Sequence, residues 1–403
     1  MNNVSHGSDD RGRESGSGAR SLWEIPSLPF IFKPLETPHN PTGIPDALPF
    51  HLGLDMATGR LVQRSTPRLE AILTRAYADG SMITGLMEET GIGRQYAEDF
   101  LSVIVQGLGT STLDDLRIVE IGCGTGYLLH RLQRLGADVR GIEPGPGAEQ
   151  AASRYGLRVE RGFFPDTDVG DAYDVALLHL LLEHVADPGG ILQATAQIMR
   201  PGGRVFVAVQ DEEPYIRSGE LSLLFHEHYS YFTSRTLAGL IAEAGGSSVR
   251  VRRSNFTNLL IADYVVGSAA SAPVVAPKDV ALARGFRQRA EAATAAVWSL
   301  INSARADGGT IGLFVPGRAA NMLAIRDDGL EGIRFFDDDI GLKGKYFPGM
   351  DIPVENREDL YRSPPSSLLI MSLSFGAKIR DSVRAGLRPD VEIRLLGDLL
   401  SAP

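Results

Sequence analysis

Two histidines, one glutamate and two tyrosines lie within six residues, His226-Glu-His-Tyr-Ser-Tyr231. Histidine exchanges protons near neutral pH, and a neighbouring carboxylate can orient the ring and raise its basicity. The segment follows a predicted strand, Val205–Val209, and precedes a predicted helix, which indicates the carboxyl edge of a parallel sheet. Because ligands bind at that edge, we expect the segment to contact a substrate or to transfer a proton.

The same segment has two other interpretations. His226, Glu227 and His228 could bind a metal ion, but they lack the i, i+4 helical spacing of a zinc-binding histidine pair. The segment could instead be a hydrogen-bonded loop ahead of a helix that Thr233 caps.

Two further side chains could belong to the same site. His184 follows the predicted strand Val175–Leu178 at the same edge, with Glu183 beside it as a local support. A structural role for His184 and a substrate-binding role are equally compatible with this position. Tyr77 lies N-terminal to the sheet, in a segment that could cover the pocket.

A glycine-rich turn is the strongest single motif. Gly122, Gly124 and Gly126 follow a short apolar run and precede leucines at helical spacing. A strand, a glycine turn and a helix together place a nucleotide-like ligand against the helix N-terminus, and glycine lets the backbone approach that ligand. Glu120 precedes the turn, and Glu143 ends the next predicted strand, where its carboxylate can accept hydrogen bonds from two ribose hydroxyls.

The glycine spacing distinguishes between cofactors. The turn is G-x-G-x-G, and Tyr127 stands where the dinucleotide fingerprint has its third glycine. A nicotinamide or flavin site is the alternative interpretation of this turn. With both acidic residues, the turn resembles motif I of class I S-adenosylmethionine methyltransferases. The resemblance implies S-adenosyl-L-methionine as cofactor, with Glu120 near its methionine end and Glu143 on its ribose. Phe163 and His179 complete the expected cofactor contacts.

Length, charge and cysteine content limit the classes of protein. The chain has 403 residues, more than one ordinary core, so at least two domains are expected. A formal net charge of −10 argues against nucleic acid or a membrane surface as a partner. Cys123 is the only cysteine, so no disulfide within the chain is expected. The N-terminal residues lack the apolar core of a secretory signal, so a cytoplasmic protein is expected. The sequence gives no oligomeric state.

The elements that would position these residues divide into four parts. Residues 1–22 are expected to be a disordered tail, and 23–105 an N-terminal segment that covers the substrate, with helices after residue 66. Residues 106–267 are expected to form an α/β domain with a doubly wound parallel sheet, and 268–403 a second, Rossmann-like α/β domain that begins with a long helix at 279–306. The predicted strands are Ile118–Ile121, Val139–Ile142, Val175–Leu178, Val205–Val209, Leu259–Val266, Ile311–Val315, Ile333–Phe336 and Leu368–Met371, with a turn at Pro201–Gly203.

Two segments extend the resemblance beyond the glycine turn. His226–Phe232 and Phe336–Pro353, which contains the pattern K-G-x-x-x-P-G-x-x-I-P, resemble the nucleotide-sugar C-methyltransferase family over about residues 45 to 395. Enzymes of that family methylate C3 of dTDP-4-keto-deoxysugars. The resemblance therefore implies a small-molecule substrate of the dTDP-sugar class, in deoxysugar or antibiotic biosynthesis.

The family's functional positions carry over residue by residue. Glu227 and His228 match its glutamate–histidine pair, with His228 as the base, while His184 matches a pocket histidine and Tyr77 a pocket tyrosine. The expected substrate contacts are Phe225, His226, Tyr229 and Tyr231, together with Gly317, Arg318 and Asn321 in the turn that opens the C-terminal domain.

The chain departs from the family at two places. The family's N-terminal domain binds zinc through four cysteines, whereas Asp55-Met-Ala-Thr58 stands here in place of one cysteine pair. Aspartate and threonine cannot replace two thiolates on zinc, so the N-terminal segment is interpreted as a zinc-less remnant and no metal site is predicted. Phe225 stands where the family commonly has a tyrosine, which suggests a changed substrate or changed proton handling.

Three functions follow as hypotheses. The first is methylation of carbon next to a ketone, with His228 as base and Tyr77 or His184 stabilising the enolate oxygen. The second is O- or N-methylation of a non-sugar natural-product intermediate, motivated by the absent zinc ligands and by Phe225. The third is a non-catalytic accessory protein that binds S-adenosylmethionine.

Overall fold

The structure is a computed structural model. It describes residues 19–30, 34–40, 44–80, 87–110, 112–267, 277–326, 328–373 and 375–400. These residues form three β-sheets with helices packed around two of them. None of the described helices is long and apolar enough to cross a membrane.

The elements fall into three groups along the chain. The first group is β1 (Ala19–Pro29), β2 (Ala47–Asp55), β3 (Leu61–Gln63), α1 (Pro67–Asp79) and α2 (Gly91–Leu108). The second is β4 (Arg117–Ile121), α3 (Tyr127–Gln133), β5 (Asp138–Glu143), α4 (Gly147–Tyr155), β6 (Val159–Arg161), β7 (Tyr173–His179), α5 (Pro188–Gln197), β8 (Met199–Gln210), α6 (Glu213–Ser218), β9 (Ser230–Tyr231), α7 (Ser234–Glu243), β10 (Gly246–Arg253) and β11 (Leu259–Val266). The third is α8 (Pro277–Arg284), α9 (Phe286–Ala306), β12 (Ile311–Phe314), α10 (Asn321–Ala324), β13 (Ile333–Asp337), β14 (Val354–Asn356), α11 (Arg357–Arg362), β15 (Ser367–Ile370), α12 (Gly376–Arg384), β16 (Glu392–Leu395) and α13 (Leu396–Leu400).

The N-terminal strands form a four-stranded antiparallel sheet in the order β1-β2-β3-β9. Its last strand, β9, belongs to the histidine-rich segment, because Ser230 and Tyr231 pair with Val62 and Leu61. The expected tail at 1–22 is wrong at its end, since Ala19–Leu22 is the start of β1; the rest of the tail, residues 1–18, lies outside the described residues. Burial of the apolar residues that follow in β1, Trp23 among them, stabilises this strand on the sheet.

Hydrogen bonds close the turn between β2 and β3. The Asp55 carboxylate accepts from the backbone N–H of Ala57 at 2.9 Å and from the Thr58 hydroxyl at 2.7 Å. Asp55 and Thr58, the residues that stand in place of one cysteine pair, therefore bond to each other. An aspartate that binds its own turn in this way stabilises a tight connection without a metal ion.

The central sheet has seven strands in the order β10-β11-β8-β7-β4-β5-β6. It is parallel from β8 to β6, with β11 and β10 added antiparallel. Helices α2, α3 and α4 cover one face through a core that includes Phe100 and Leu129, and α5 and α7 cover the other through Leu192 and Leu240. This confirms the predicted doubly wound sheet.

Two sequence-based details of this domain differ from the structure. The expected domain boundary at residue 106 falls inside α2, whose apolar face belongs to the core of the central sheet. The expected turn at Pro201–Gly203 lies inside β8. There the pairing with β7 jumps from Met199 to Arg204, so the turn residues bulge out of one strand instead of preceding it.

The C-terminal sheet is fully parallel, in the order β14-β13-β12-β15-β16. This is the strand order of a Rossmann-type α/β domain, as predicted. The expected single helix at 279–306 is two helices, α8 and α9, which meet at Gly285.

The two α/β domains meet near the ends of their strands. The 3₁₀ turn Gly317–Ala320 follows β12 and packs against a second 3₁₀ turn, Leu221–Leu223, which leads into the histidine-rich segment. Fold and topology thus bring the predicted catalytic segment, the central sheet and the C-terminal domain to one place.

Candidate active site

The glycine turn after β4 has the backbone that a cofactor cradle requires. Gly122, Gly124 and Gly126 have φ of 74°, 53° and 79°, a region that favours glycine. A Cβ on Gly126 would lie 2.7 Å from the Cβ of Ala151, and one on Gly147 would lie 2.5 Å from the carbonyl oxygen of Gly124. Helix α4 therefore packs directly against the turn, and both contacts depend on glycine.

Glu143 lies at the carboxyl end of β5, beside this turn. One carboxylate oxygen accepts the N–H of Gly124 at 3.0 Å, and the other accepts the N–H of Gly145 at 2.8 Å. These bonds fix the orientation of the carboxylate. Each oxygen keeps a second lone pair, so the group can still accept hydrogen bonds from ribose hydroxyls.

Glu120 is a buried carboxylate at the end of β4. It is 1% exposed, and among the described residues neither of its oxygens has a hydrogen-bond partner. Burial, together with the charge of Glu143, raises the pKa of Glu120 well above its usual value. A buried acid without a partner is costly, and a cationic ligand group would relieve that cost. Glu120 thus fits the amino group of the methionine part of S-adenosylmethionine.

His179 and Phe163, the other expected cofactor contacts, lie near the same strand ends. His179 ends β7, and burial lowers its pKa to about 4, so its ring is neutral at physiological pH. The rings of Phe100 and Tyr96 lie 5.1 and 6.4 Å from it. Phe163 is partly exposed, and its neighbour Gly162 donates to the carbonyl oxygen of Glu143 at 3.2 Å.

A second cluster brings three predicted catalytic residues together. The hydroxyl oxygen of Tyr77, on α1, lies 2.9 Å from Nδ1 of His184 and donates to Glu227 Oε2 at 3.2 Å. His184 Nδ1 lies 4.0 Å from the same carboxylate oxygen. These residues come from three distant parts of the chain, so only the tertiary structure joins them.

Neighbouring strands of the central sheet position this cluster. β7 and β8 run parallel, so Glu183, which follows β7, and Gln210, which ends β8, meet at one edge, where the Gln210 N–H donates to Glu183 Oε1 at 3.3 Å. The carbonyl oxygen of Glu183 accepts the N–H of Tyr229 at 2.7 Å. Gln63, at the end of β3, holds the histidine-rich segment from the N-terminal sheet, because its side-chain amide donates to the carbonyl oxygen of His226 at 2.9 Å.

His228, the predicted base, is buried within this cluster. Its ring lies 4.7 Å from that of His184 and 3.8 Å from that of Phe225, measured between centroids. Nδ1 of His228 lies 3.7 Å from Oε1 of Glu212, a buried residue that sequence reasoning missed. Its position just after β8, at the carboxyl edge, was the signal that could have identified it.

The environment sets the protonation of two groups in the cluster. Burial and the adjacent Glu227 carboxylate raise the pKa of Tyr77 well above its usual value, so its hydroxyl stays protonated and can donate. Burial raises the pKa of Glu183 to about 7. A proton donor and an acid poised near neutrality therefore lie beside the two histidines.

Three expected substrate contacts pack in apolar cores that border the cluster. His226 lies between Phe30 and Phe50, with ring centroids 5.2 and 5.4 Å away, and burial lowers its pKa to about 4. Tyr229 packs with the buried face of α1, and Tyr231 belongs to the core under the N-terminal sheet. Of the three, His226 is thus enclosed by aromatic rings of the N-terminal domain, whereas Tyr229 shares its core with Tyr77 and the Tyr231 ring centroid lies 6.1 Å from that of His228.

The C-terminal turn contributes Asn321, whose side-chain amide contacts the segment ahead of His226. Its Nδ2 donates to the carbonyl oxygens of Leu221 at 3.2 Å and Leu224 at 2.8 Å. Its Oδ1 is buried and has no hydrogen-bond partner among the described residues. Gly317 has φ of 44°, a conformation that favours glycine, and the side chain of Arg318 lies outside the described part of the chain.

One group of side chains in the described ranges has the donors for a metal ion. Glu183, His184 and His228 each offer an atom within 4.8 Å of the others. The sequence analysis considered His226, Glu227 and His228 as possible metal ligands, and this set shares only His228 with them. His184 Nδ1 also lies 2.9 Å from the Tyr77 hydroxyl, so the same cluster has the groups that a proton transfer requires.

Known proteins resemble the chain in both α/β domains. Residues 93–249 match the family described as "Methyltransferase domain", and residues 273–390 match "C-methyltransferase C-terminal domain". The chain is 26% identical over 313 residues to C-methyltransferase NovU of Streptomyces niveus, which covers 72% of this chain and 73% of that protein. It is 39% identical over 103 residues to a ubiquinone biosynthesis O-methyltransferase of Azorhizobium caulinodans, 24% of this chain and 41% of that protein.

Among solved structures, the 1,6-didemethyltoxoflavin-N1-methyltransferase of Burkholderia thailandensis aligns with 52% of this chain and 96% of its own, at 17% identity and a TM-score of 0.39. The match to the methyltransferase family spans the glycine turn after β4. The chain is an S-adenosylmethionine-dependent methyltransferase with a class I Rossmann-like fold and a second domain of the C-methyltransferase C-terminal type.

Proposed function

We propose that this methyltransferase transfers a methyl group to a carbon atom next to the ketone of a nucleotide-linked keto-sugar, with His228 as the base. The observation that carries the proposal is the convergence of His228, His184 and Tyr77 at the carboxyl edge of the sheet that also bears the cofactor cradle. Carbon needs a base before it can accept a methyl group, and this cluster provides one.

Each side chain of the cluster has a role in this reaction. His228 removes the proton on the carbon next to the ketone, and the protonated hydroxyl of Tyr77 or the ring of His184 stabilises the enolate oxygen that forms. Glu227 orients Tyr77 and His184 through its carboxylate. S-adenosylmethionine, held by Glu120, Glu143 and the glycine turn, supplies the methyl group as a sulfonium.

The substrate class is supported by the C-terminal domain. Its strand order is that of a nucleotide-binding Rossmann half, and Asp337 ends β13, beside the first strand of that half. Burial raises the pKa of Asp337. The relative NovU, similar over both domains, is named as a C-methyltransferase. We therefore propose a dTDP-sugar, in deoxysugar biosynthesis and in the cytoplasm.

The test is His228→Ala, assayed in deuterated water with S-adenosylmethionine and dTDP-4-keto-2,6-dideoxyglucose. The wild-type enzyme should give a product about 14 Da heavier that keeps its ketone, and substrate that is not yet methylated should exchange its C3 proton for deuterium. The variant should bind S-adenosylmethionine with unchanged affinity by calorimetry but lose most turnover and exchange. His39→Ala, at an exposed site, is the control. A fully active His228→Ala enzyme would exclude His228 as the base.

A second candidate is O- or N-methylation of a non-sugar intermediate. Two observations favour it: Phe225 in the cluster and the short, 39% identical match to a protein named as an O-methyltransferase. Oxygen and nitrogen are stronger nucleophiles than carbon, so loss of His228 would reduce turnover less. The position of the new methyl group, determined by NMR of the product, decides between the two. Binding of the cofactor with no methylated product from either class would favour a non-catalytic accessory protein.

A further inference from the structure

We infer that Glu212 is a positioning residue that orients the ring of His228 and keeps its proton on Nδ1. This inference rests on the proposed function, in which His228 is the base. It concerns a residue that no sequence motif marks, and it assigns to Glu212 the role that the sequence suggested for Glu227.

The first step is geometric. Oε1 of Glu212 lies 3.7 Å from Nδ1 of His228, and the two side chains are 2% and 4% exposed. A movement of about 0.8 Å would turn this contact into a hydrogen bond, and catalytic hydrogen bonds commonly tighten when substrate binds. The ring of Phe225 packs against His228 at 3.8 Å and limits its rotation. The carboxylate therefore faces the atom that decides the tautomer.

The second step is the rigidity of Glu212. Its backbone N–H donates to the carbonyl oxygen of Phe232 at 2.9 Å, which joins the end of β8 to the end of the histidine-rich segment. The preceding residue, Asp211, is fixed by Asn258 on one side and by Arg253 at 2.6 Å on the other. Glu212 occupies the N-cap position of α6, yet its side chain makes no capping hydrogen bond and is buried. A carboxylate held in this way can orient a neighbour accurately.

The third step compares the groups that face His228. The carboxylate of Glu227 lies against Tyr77 at 3.2 Å and 4.0 Å from His184, so its contacts serve the enolate side of the cluster. Glu183 and His184 approach His228 from the turn after β7. Glu212 approaches from the end of β8 and is the carboxylate paired with Nδ1. Glu212 thus orients the base, and Glu227 orients the groups that stabilise the enolate oxygen.

The chemical consequence follows from the tautomer. A carboxylate that accepts a hydrogen bond from Nδ1–H leaves Nε2 without a proton and with its lone pair available. Nε2 can then take the proton from the substrate carbon, and Glu212 stabilises the imidazolium that results. Without the carboxylate, the ring can carry its proton on Nε2, and the nitrogen that should act as base is blocked.

Glu212→Gln is the decisive variant, because it keeps the shape of the side chain and removes the charge. We expect kcat to fall about a hundred-fold, with KM for both substrates within about two-fold and unchanged cofactor affinity. The apparent pKa of the base in the pH dependence of kcat should fall, since a neighbouring negative charge favours the imidazolium. Glu212→Asp should recover part of the loss. Glu213→Gln, at the next residue, is the matched control; Glu213 pairs with Arg217.

A second measurement observes the wild-type enzyme directly and uses a variant only to assign the signal. Nitrogen NMR of the wild-type enzyme with labelled histidine, assigned by loss of the signal in His228→Ala, should find the proton of neutral His228 on Nδ1. A proton on Nε2, or an unchanged kcat and pH profile in Glu212→Gln, would overturn the inference. If His228→Ala itself remained active, the proposed function would fail; an inactive His228→Ala with a normal Glu212→Gln would reject only the role of Glu212.

Discussion

Asn321, in the C-terminal domain, donates a hydrogen bond over 2.8 Å to the carbonyl oxygen of Leu224, 97 residues earlier in the chain. Leu224 immediately precedes Phe225, whose ring lies on His228, and the carbonyl oxygen of Phe225 accepts the N–H of His228 at 3.0 Å. One buried amide of the C-terminal domain thus fixes the start of the segment that carries the proposed base.

Replacing Asn321 should therefore affect stability and turnover together. Asn321→Asp removes the donor and sets a carboxylate against two buried carbonyl oxygens, which should cost about 2 kcal/mol in the free energy of unfolding. Turnover should fall because the segment before His228 loses its anchor. Urea unfolding and a methyl-transfer assay measure the two effects. Asn302→Asp, on the exposed side of α9, is the control, and equal stability of the two variants would show that the Asn321 bonds contribute little.

The hydroxyl of Tyr77 should matter for turnover more than for binding. Tyr77→Phe removes the donor that lies between His184 and Glu227, so we expect kcat to fall about a hundred-fold while cofactor affinity stays unchanged. Steady-state kinetics and calorimetry separate the two quantities. Tyr361→Phe, in α11 of the C-terminal domain, is the matched control. A normal kcat in Tyr77→Phe would leave His184 as the group that stabilises the enolate.

Close packing at the cofactor cradle gives a third prediction. Gly147→Ala would place a Cβ 2.5 Å from the carbonyl oxygen of Gly124, and a backbone atom cannot move aside without changing the turn. We expect the Kd for S-adenosylmethionine to rise at least about ten-fold, measured by calorimetry. Gly189→Ala, also in the first turn of a helix, meets its nearest atom at 3.5 Å and should leave the affinity unchanged. Similar affinities for S-adenosylmethionine in both variants would show that close packing at Gly147 does not affect cofactor binding.

The burial of His226 predicts a pH-dependent stability. Its folded-state pKa is about 4, against 6.5 for the ordinary side chain, so the unfolded state binds a proton first as the pH falls. Its contribution to stability is complete above pH 6.5 and should decrease by about 2 kcal/mol between pH 6.5 and 4.5. His226→Phe, which fits between Phe30 and Phe50, should lack this decrease.

Comparing the wild-type protein with His226→Phe isolates the contribution of His226 to the pH dependence of stability. Burial raises the pKa of Glu183 to about 7, which acts in the opposite direction, but Glu183 is present in both and cancels in the difference. Urea unfolding of wild type and His226→Phe at several pH values is the measurement. Parallel curves would mean that His226 is not buried as a neutral ring.

The strands of the two α/β domains were largely predictable, because apolar runs bounded by glycine and charge are local patterns. Leu259–Val266 agrees at both ends with β11, and Ile333–Phe336 differs from β13 by one residue. Within these two domains, the missed strands, among them β6 and β10, are short or rich in arginine, and they are stabilised by pairing with neighbours that the sequence does not reveal.

The cofactor cradle was predictable for a similar reason. The glycine turn and its two acids lie within one β-α-β unit, and Glu143 contacts Gly124, only 19 residues away. The catalytic cluster is different, because Tyr77 lies 107 residues before His184 and 150 residues before Glu227. The resemblance to a known family named them, but their distances depend on how α1, β7 and the histidine-rich segment pack.

The sequence by itself determined the glycines, the acids at the strand ends and the order of strands and helices, since each depends on residues close in the chain. The tertiary structure decided which of two neighbouring histidines enters the site. His228 lies beside Glu212, whereas His226 lies between two phenylalanines of the N-terminal domain. The physical reason is a turn at these two histidines, closed by the His228 N–H on the carbonyl oxygen of Phe225, next to the pairing of β9 with β3 that attaches the segment to the N-terminal sheet. That pairing joins residues more than 160 positions apart and leaves no trace in the local pattern.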